Sequence, residues 1–209
     1  MTGVRHLIAH ELREHVPFTM FGTLTGILIM IIMIKARVSY SASEHLFHTF
    51  HPAHVLLSAM VTASMYARHG RHKLWAVILV GYVGSIGIAT FSDCIIPYVG
   101  EILLHLPRRA PHIGFIEKWW LVNPLAFVGI GIACFTTHTK FPHAGHVLIS
   151  TWASLFHVTM ALGGQSVGVF TLILIGVFLF TAVWLPCCTS DIIFPLLFPG
   201  GQAHTNSGT

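Results

Sequence analysis

The chain has 209 residues, of which 54% are hydrophobic and only 9% charged, and its mean hydropathy is +0.75. So few charges cannot cover the surface of a soluble domain of this size, so lipid is the expected solvent for most of the chain. The net charge of +4 reflects 11 Lys and Arg against 7 Asp and Glu. The basic residues lie in short segments between apolar runs, where they meet lipid headgroups, and nucleic-acid binding is not expected.

In chain order, the N-terminus carries His6, His10, Glu11, Arg13, Glu14 and His15 before the first apolar run. It lacks the apolar stretch and cleavage site of a signal peptide, so the whole chain is expected to be mature protein. A helix that crosses a bilayer core needs about 20 mostly apolar residues. Residues 16–34, 46–67, 74–92 and 119–137 each meet that length, and the stretch 141–190, free of Asp, Glu, Lys and Arg, is long enough for two more. Gly163-Gly164-Gln165-Ser166 is the expected turn between these two.

Shorter apolar pieces follow the third and sixth spans, at 95–106 with Pro97 and at 192–198 with Pro195. They are too short to cross and are expected to be broken, interfacial or re-entrant segments. Residues 200–209 are expected to be a disordered tail. The four cysteines (Cys94, Cys134, Cys187, Cys188) lie in or beside apolar stretches and are expected to be buried thiols. Trp119 and Trp120 suit an interfacial anchor, and Gly81, Gly84 and Gly87 suit a close helix contact.

An internal repeat organises these elements. His51-Pro-Ala-His54-Val-Leu-Leu-Ser58 matches His143-Ala-Gly-His146-Val-Leu-Ile-Ser150, and Ser92-Asp93-Cys-Ile-Ile-Pro97 matches Ser190-Asp191-Ile-Ile-Phe-Pro195. Pro17-Phe-Thr-Met-Phe-Gly22 against Pro124-Leu-Ala-Phe-Val-Gly129 opens each half more weakly. Asp93 and Asp191 are the only aspartates in the chain, and both fall at equivalent repeat positions.

The expected fold is therefore an all-α integral membrane protein of about six transmembrane helices. Residues 1–110 and 111–199 would form two three-helix repeats. Three crossings per half is an odd number, so the repeats would have inverted topology, as in many secondary transporters. Arg5, Arg13, Arg68, Arg71, Lys73 and Lys140 would share one face, and Lys35, Arg37, Arg108, Arg109 and Lys118 the other. That near balance leans only slightly towards a cytoplasmic N-terminus.

Histidines three apart share a helix face, and neutral imidazole with a carboxylate is a common donor set for Zn, Fe(II), Mn, Co or Ni. The expected metal ligands are His51, His54 and Asp93 in the first half and His143, His146 and Asp191 in the second. Ser92 and Ser190 are expected to orient the carboxylates. An isolated His-x-x-His is ordinarily interfacial, and a Ser-Asp before an apolar segment can cap a helix. Repetition of the joint pattern, with ionisable residues near membrane spans, favours function. His45 and His48 are read as interfacial, and His157 as a hydrogen-bonded helix contact.

The expected function is a membrane transporter for a divalent transition-metal ion, foremost Zn or Fe(II), with proton coupling as a reasonable mechanism. The alternatives are a haem or redox protein with histidine axial ligands, and an intramembrane metal-dependent hydrolase in which Glu101 is the nearby carboxylate. The expected setting is the cytoplasmic membrane of a bacterium or archaeon, with the ion and the lipid bilayer as partners and a homodimer as a compatible assembly. Inverted halves leave two arrangements open: one shared site at the midplane, or one site near each face.

Overall fold

The computed structural model describes residues 2–68, 73–135 and 140–188, and among these the chain is helical with no strand. The elements are α1 (Thr2–Lys35), α2 (Tyr40–Arg68), α3 (Leu74–Thr90), a π-helical turn (Phe91–Ile95), α4 (Ile96–Leu103), the single turn α5 (Gly114–Glu117), α6 (Trp119–Phe135), α7 (Lys140–Leu162) and α8 (Val169–Cys188). Gly163 and Gly164 take positive φ of 58° and 79° between α7 and α8, a left-handed turn that glycine makes without a Cβ penalty.

The exposed helix faces are apolar, unlike those of a soluble bundle, and the core holds many polar residues among its hydrophobic ones. Phe21, Leu24, Leu28 and Ile32 of α1 are exposed along one helix face, and so are Phe170, Ile173 and Val177 of α8. Meanwhile His15, His51, His54, Ser58, Thr62, Asp93, Glu101, His146, Ser150, Ser154 and His157 are buried. An apolar shell around a polar interior is stable where the surrounding solvent is lipid. Four segments are long and apolar enough to cross a membrane: His15–Lys35, Leu74–Leu103, Ala144–Leu162 and Val169–Cys187. Trp119–Phe135 is apolar but shorter. The architecture is thus that of an all-α membrane protein.

α2 has 29 residues, but its His, Ser and Thr content keeps it out of the apolar group. It has no need to be apolar, because it packs against α3, α6 and α7 and meets little lipid. Where α6 crosses it, a Cβ on Gly129 would lie 2.3 Å from the Leu56 carbonyl oxygen, so only glycine lets the backbones approach this closely. Gly81 makes a similar contact with Ala63 and Ile130, whereas Gly87 faces open space.

Two expectations change. The apolar piece after the third span is no re-entrant segment, because Leu74–Leu103 runs as one helical rod of 30 residues through the π turn. Pro97 explains the turn: it has no N–H for the Asp93 carbonyl, and its ring would clash there in a regular α-helix. The Ile96 N–H instead donates to the Phe91 carbonyl, five residues back, which absorbs the proline without ending the helix. Ser92 and Asp93 therefore do not cap α4, which starts with no side-chain cap bond.

The polar N-terminal residues also join α1, which begins well before the first apolar run. Among the cysteines, Cys94 and Cys187 are buried as expected, but Cys134 is exposed on the apolar shell. The piece at 192–198 and the tail at 200–209 lie outside the described residues.

Gly129→Ala should destabilise the bundle by about 1–3 kcal/mol, the usual cost of overpacking. Gly131→Ala, two residues on and with nothing within 4 Å of its Cβ position, is the matched control. Thermal unfolding of both variants in the same detergent checks this: the first should melt lower and the second at or above wild type.

Candidate functional site

The site is built by three helices whose polar residues recur at helical spacing. On α2 the buried polar residues include His51, His54, Ser58 and Thr62, and on α7 they include His146, Ser150, Ser154 and His157. Each set forms one stripe, and the two stripes face one another because α2 and α7 are in extensive contact. The π turn of the third helix brings Ser92 and Asp93 between them.

Asp93 is fully buried, and its two oxygens are both saturated. His51 Nδ1 and His54 Nδ1 reach Oδ2 at 3.0 and 2.7 Å. The Ser92 and Ser150 hydroxyls donate to Oδ1 at 2.6 and 2.8 Å. A carboxylate has about four lone-pair sites, and four donors fill them. Ser154 in turn donates to the Ser92 carbonyl at 2.9 Å, which ties α7 to the π turn.

Because a carboxylate only accepts, Nδ1 of both histidines is the donor to Asp93, and in a neutral ring this leaves the lone pair on Nε2. Both Nε2 atoms are buried and have no hydrogen-bond partner. A carboxylate that fixes the tautomer of an imidazole and leaves the other nitrogen bare is the arrangement found behind metal-bound histidines. Asp93, expected as a direct ligand, here serves as the anchor of the two imidazoles, since its lone pairs are already engaged.

His146 from the second half stacks on His54 with ring centroids 5.9 Å apart, and His15 of α1 meets His146 edge-on at 6.4 Å. Residues from both halves therefore share one cluster, and His54 stands at the middle of the 29-residue α2. His143 belongs to α7, but its side chain is not among those described, and Ser190 and Asp191 lie outside the described residues. Among the described residues, no three His, Cys, Asp or Glu side chains are arranged to hold a metal ion.

Two further carboxylate–imidazole units were not legible from the repeat. His157 Nδ1 donates to Glu101 Oε1 at 2.7 Å, both groups being buried. His48 Nε2 and His112 Nδ1 reach the two oxygens of Glu117, each at 3.2 Å, at the half-exposed rim. The Tyr40 hydroxyl bonds His112 Nε2 at 2.9 Å. Burial, with Glu44 and Glu117 nearby, pushes the Tyr40 phenol up, so it stays protonated and donates. The three units converge on Phe47, whose ring centroid lies 5.4 Å from that of His51, 5.3 Å from His157 and 5.2 Å from His48.

These units form a staircase from one end of the bundle, where Arg108 N–H bonds the Ala161 carbonyl and closes the 104–113 segment over α7. Along the third helix, at about 1.5 Å per residue, Glu101 and Asp93 lie about 12 Å apart. Gly114 packs against the upper part: a Cβ there would sit 2.3 Å from His51 Cδ2 and 2.8 Å from its Nε2, so only glycine lets the backbone lie against this imidazole edge. No protein-family model, curated protein or solved structure matches the chain.

Asp93→Asn keeps the shape but offers two acceptor sites where four donors arrive, orphaning donors at about 1–3 kcal/mol each. Chemical unfolding in detergent should show a clear loss of stability for Asp93→Asn. Ser92→Ala, which removes one donor and leaves Asp93 three, should lose less.

Proposed function

We propose that this protein is a membrane transporter for a divalent transition-metal ion, with Zn or Fe(II) foremost and Mn, Co or Ni in the same donor class. The observation that carries the reading is the pair of buried Nε2 atoms of His51 and His54, each held in the metal-ready tautomer by Asp93. On this reading the two imidazoles bind the ion near mid-depth and Asp93 supplies the countercharge. Asp191, with His143, would supply the corresponding donors from the second half.

Six crossings in two inverted three-helix repeats complete the proposal. Its support is the repeat itself and the stacking of His146 on His54, which joins the two halves at one place and favours a single shared site over two separate mouths. A histidine staircase that continues past this point to His15 suits passage of an ion better than a closed structural site. Metal and protons compete for the same imidazole nitrogens, so exchange of the ion against protons is the natural coupling.

The other two readings have less behind them. A hydrolase needs a general base next to metal-activated water, but Glu101 is tied to His157 and the Phe47 ring stands between that pair and His51. A haem needs an apolar slot against its axial histidines. Two grooves among the described residues, of about 410 and 470 Å³, touch none of His51, His54 and His146.

Purified protein in liposomes, loaded with a fluorescent metal indicator, tests the proposal. Wild type should take up Zn(II) or Co(II) faster than empty liposomes, and acidifying the outer buffer should slow it. His54→Ala should lower metal affinity or uptake about 10- to 100-fold, the range for disturbing a metal-histidine arrangement. Uptake by wild type no faster than through empty liposomes, for Zn, Co, Mn and Fe(II) alike, would end the transporter reading.

A further inference from the structure

The Nε2 edge of His51 is covered by backbone. Gly114, the first residue of α5, lies against the Cδ2 and Nε2 atoms of this ring, closely enough that no Cβ would fit between them. The Gly114 N–H also donates to the buried thiol of Cys94, the residue next to Asp93. An ion that approaches His51 from the α5 end therefore meets this turn of the chain first. Displacing the turn uncovers His51 and Cys94 together.

The segment 104–118 is attached in a way that permits such displacement. Within it only Leu106 and Gly114 are buried. Glu117 holds it to α2, with its Oε2 3.2 Å from His48 Nε2, and the carboxyl side chain is 35% exposed. The other Glu117 oxygen meets His112 of the same segment, which the Tyr40 hydroxyl ties to α2 a second time. Few buried contacts and water-exposed polar ties mark the parts of a protein that open locally. The ends of the segment suit hinges. His105 takes a left-handed φ of 53°, which a non-glycine residue holds only under the constraint of its surroundings, and Lys118 leaves the α5 turn at φ −129° and ψ 40°.

We infer that residues 104–118 form a hinged cover over the His51 side of the central site, latched by Glu117 on His48, and that this structure holds it shut. His48 stands one helical turn before His51 on α2, so the latch and the covered imidazole lie on one helix face. Opening about His105 and Lys118 lifts Gly114 from His51 and admits a divalent ion from this end. Glu117 is a positioning residue, acting on the site only through α5. The purpose of the cover rests on the proposed metal site; its movement does not.

Cys94 is a natural reporter of opening. In a chain carrying Cys134→Ala, Cys187→Ala and Cys188→Ala, a water-soluble maleimide should label Cys94 slowly. Glu117→Ala removes the latch, and Gly114→Ala adds a methyl that cannot seat against His51. Each should speed the labelling about 10-fold, the shift expected when one tie to a locally opening segment is lost. A matched chain that keeps only Cys187, buried against Val147 and Val183, should label slowly with or without either substitution. Stopped-flow mixing with Co(II), followed by the visible absorption of protein-bound cobalt, should show faster binding in Glu117→Ala by a similar factor. Unchanged Cys94 labelling in both variants overturns the cover, and so does an equal rise at Cys187, which would mean general loosening. Faster Cys94 labelling with cobalt binding at the wild-type rate overturns α5 as the entrance for the ion. Faster Cys94 labelling with no cobalt bound by either protein upholds the cover and ends the metal reading behind it.

Discussion

A carboxylate inside a bundle ringed by lipid must find all its hydrogen bonds in the protein, and the interior is arranged around how Asp93 does so. Two imidazoles from α2, one hydroxyl from its own π turn and one hydroxyl from α7 converge on it. Each donor comes from a helix whose position is thereby fixed, so the same four bonds that satisfy the charge register α2, the third helix and α7 against one another. The cost of an unmet partner in this environment exceeds the modest net worth of a made one, which makes the network a constraint on packing more than a source of stability.

The π turn follows from that constraint. Pro97 stands four residues after Asp93, where a regular helix would put its ring against the Asp93 carbonyl. Widening the helix by one residue removes the clash and reorients Ser92 and Asp93 together towards α7. Local backbone chemistry and buried electrostatics are thus met by one device, and π turns recur at functional positions for similar reasons. The helix continues to Leu103, which carries Glu101 into place against His157.

The carboxylate–imidazole unit occurs three times between the rim and the centre, on Glu117, Glu101 and Asp93. Exposure falls along that series, from a half-exposed rim to complete burial, while the donor chemistry stays the same. Phe47 is the apolar element among these rings, and its packing against histidines of all three units makes it the point where the levels meet.

Composition and hydropathy alone determined the membrane setting and the helical class, since lipid leaves a spanning backbone few other solutions. Spacing determined the Gly163–Gly164 turn and the placement of His51 and His54 on one helix face, and hydropathy located the spanning stretches but not the start of α1 or the continuation of the third helix to Leu103. The polar stripe on α7 was present in the sequence as positions 146, 150, 154 and 157, yet only its first two members lie in the repeated segment. What the tertiary structure decided is how the oxygen and nitrogen atoms are shared. Asp93 anchors imidazoles instead of standing open, Ser150 closes its shell, and Glu101 and Glu117 find His157 and His48 across long sequence separations. Periodicity reports which side of a helix a residue occupies; which lone pair meets which proton depends on the rotation and depth of neighbouring helices. Those are fixed only when Gly129 lets α6 press against α2 and the π turn shifts the third helix against α7.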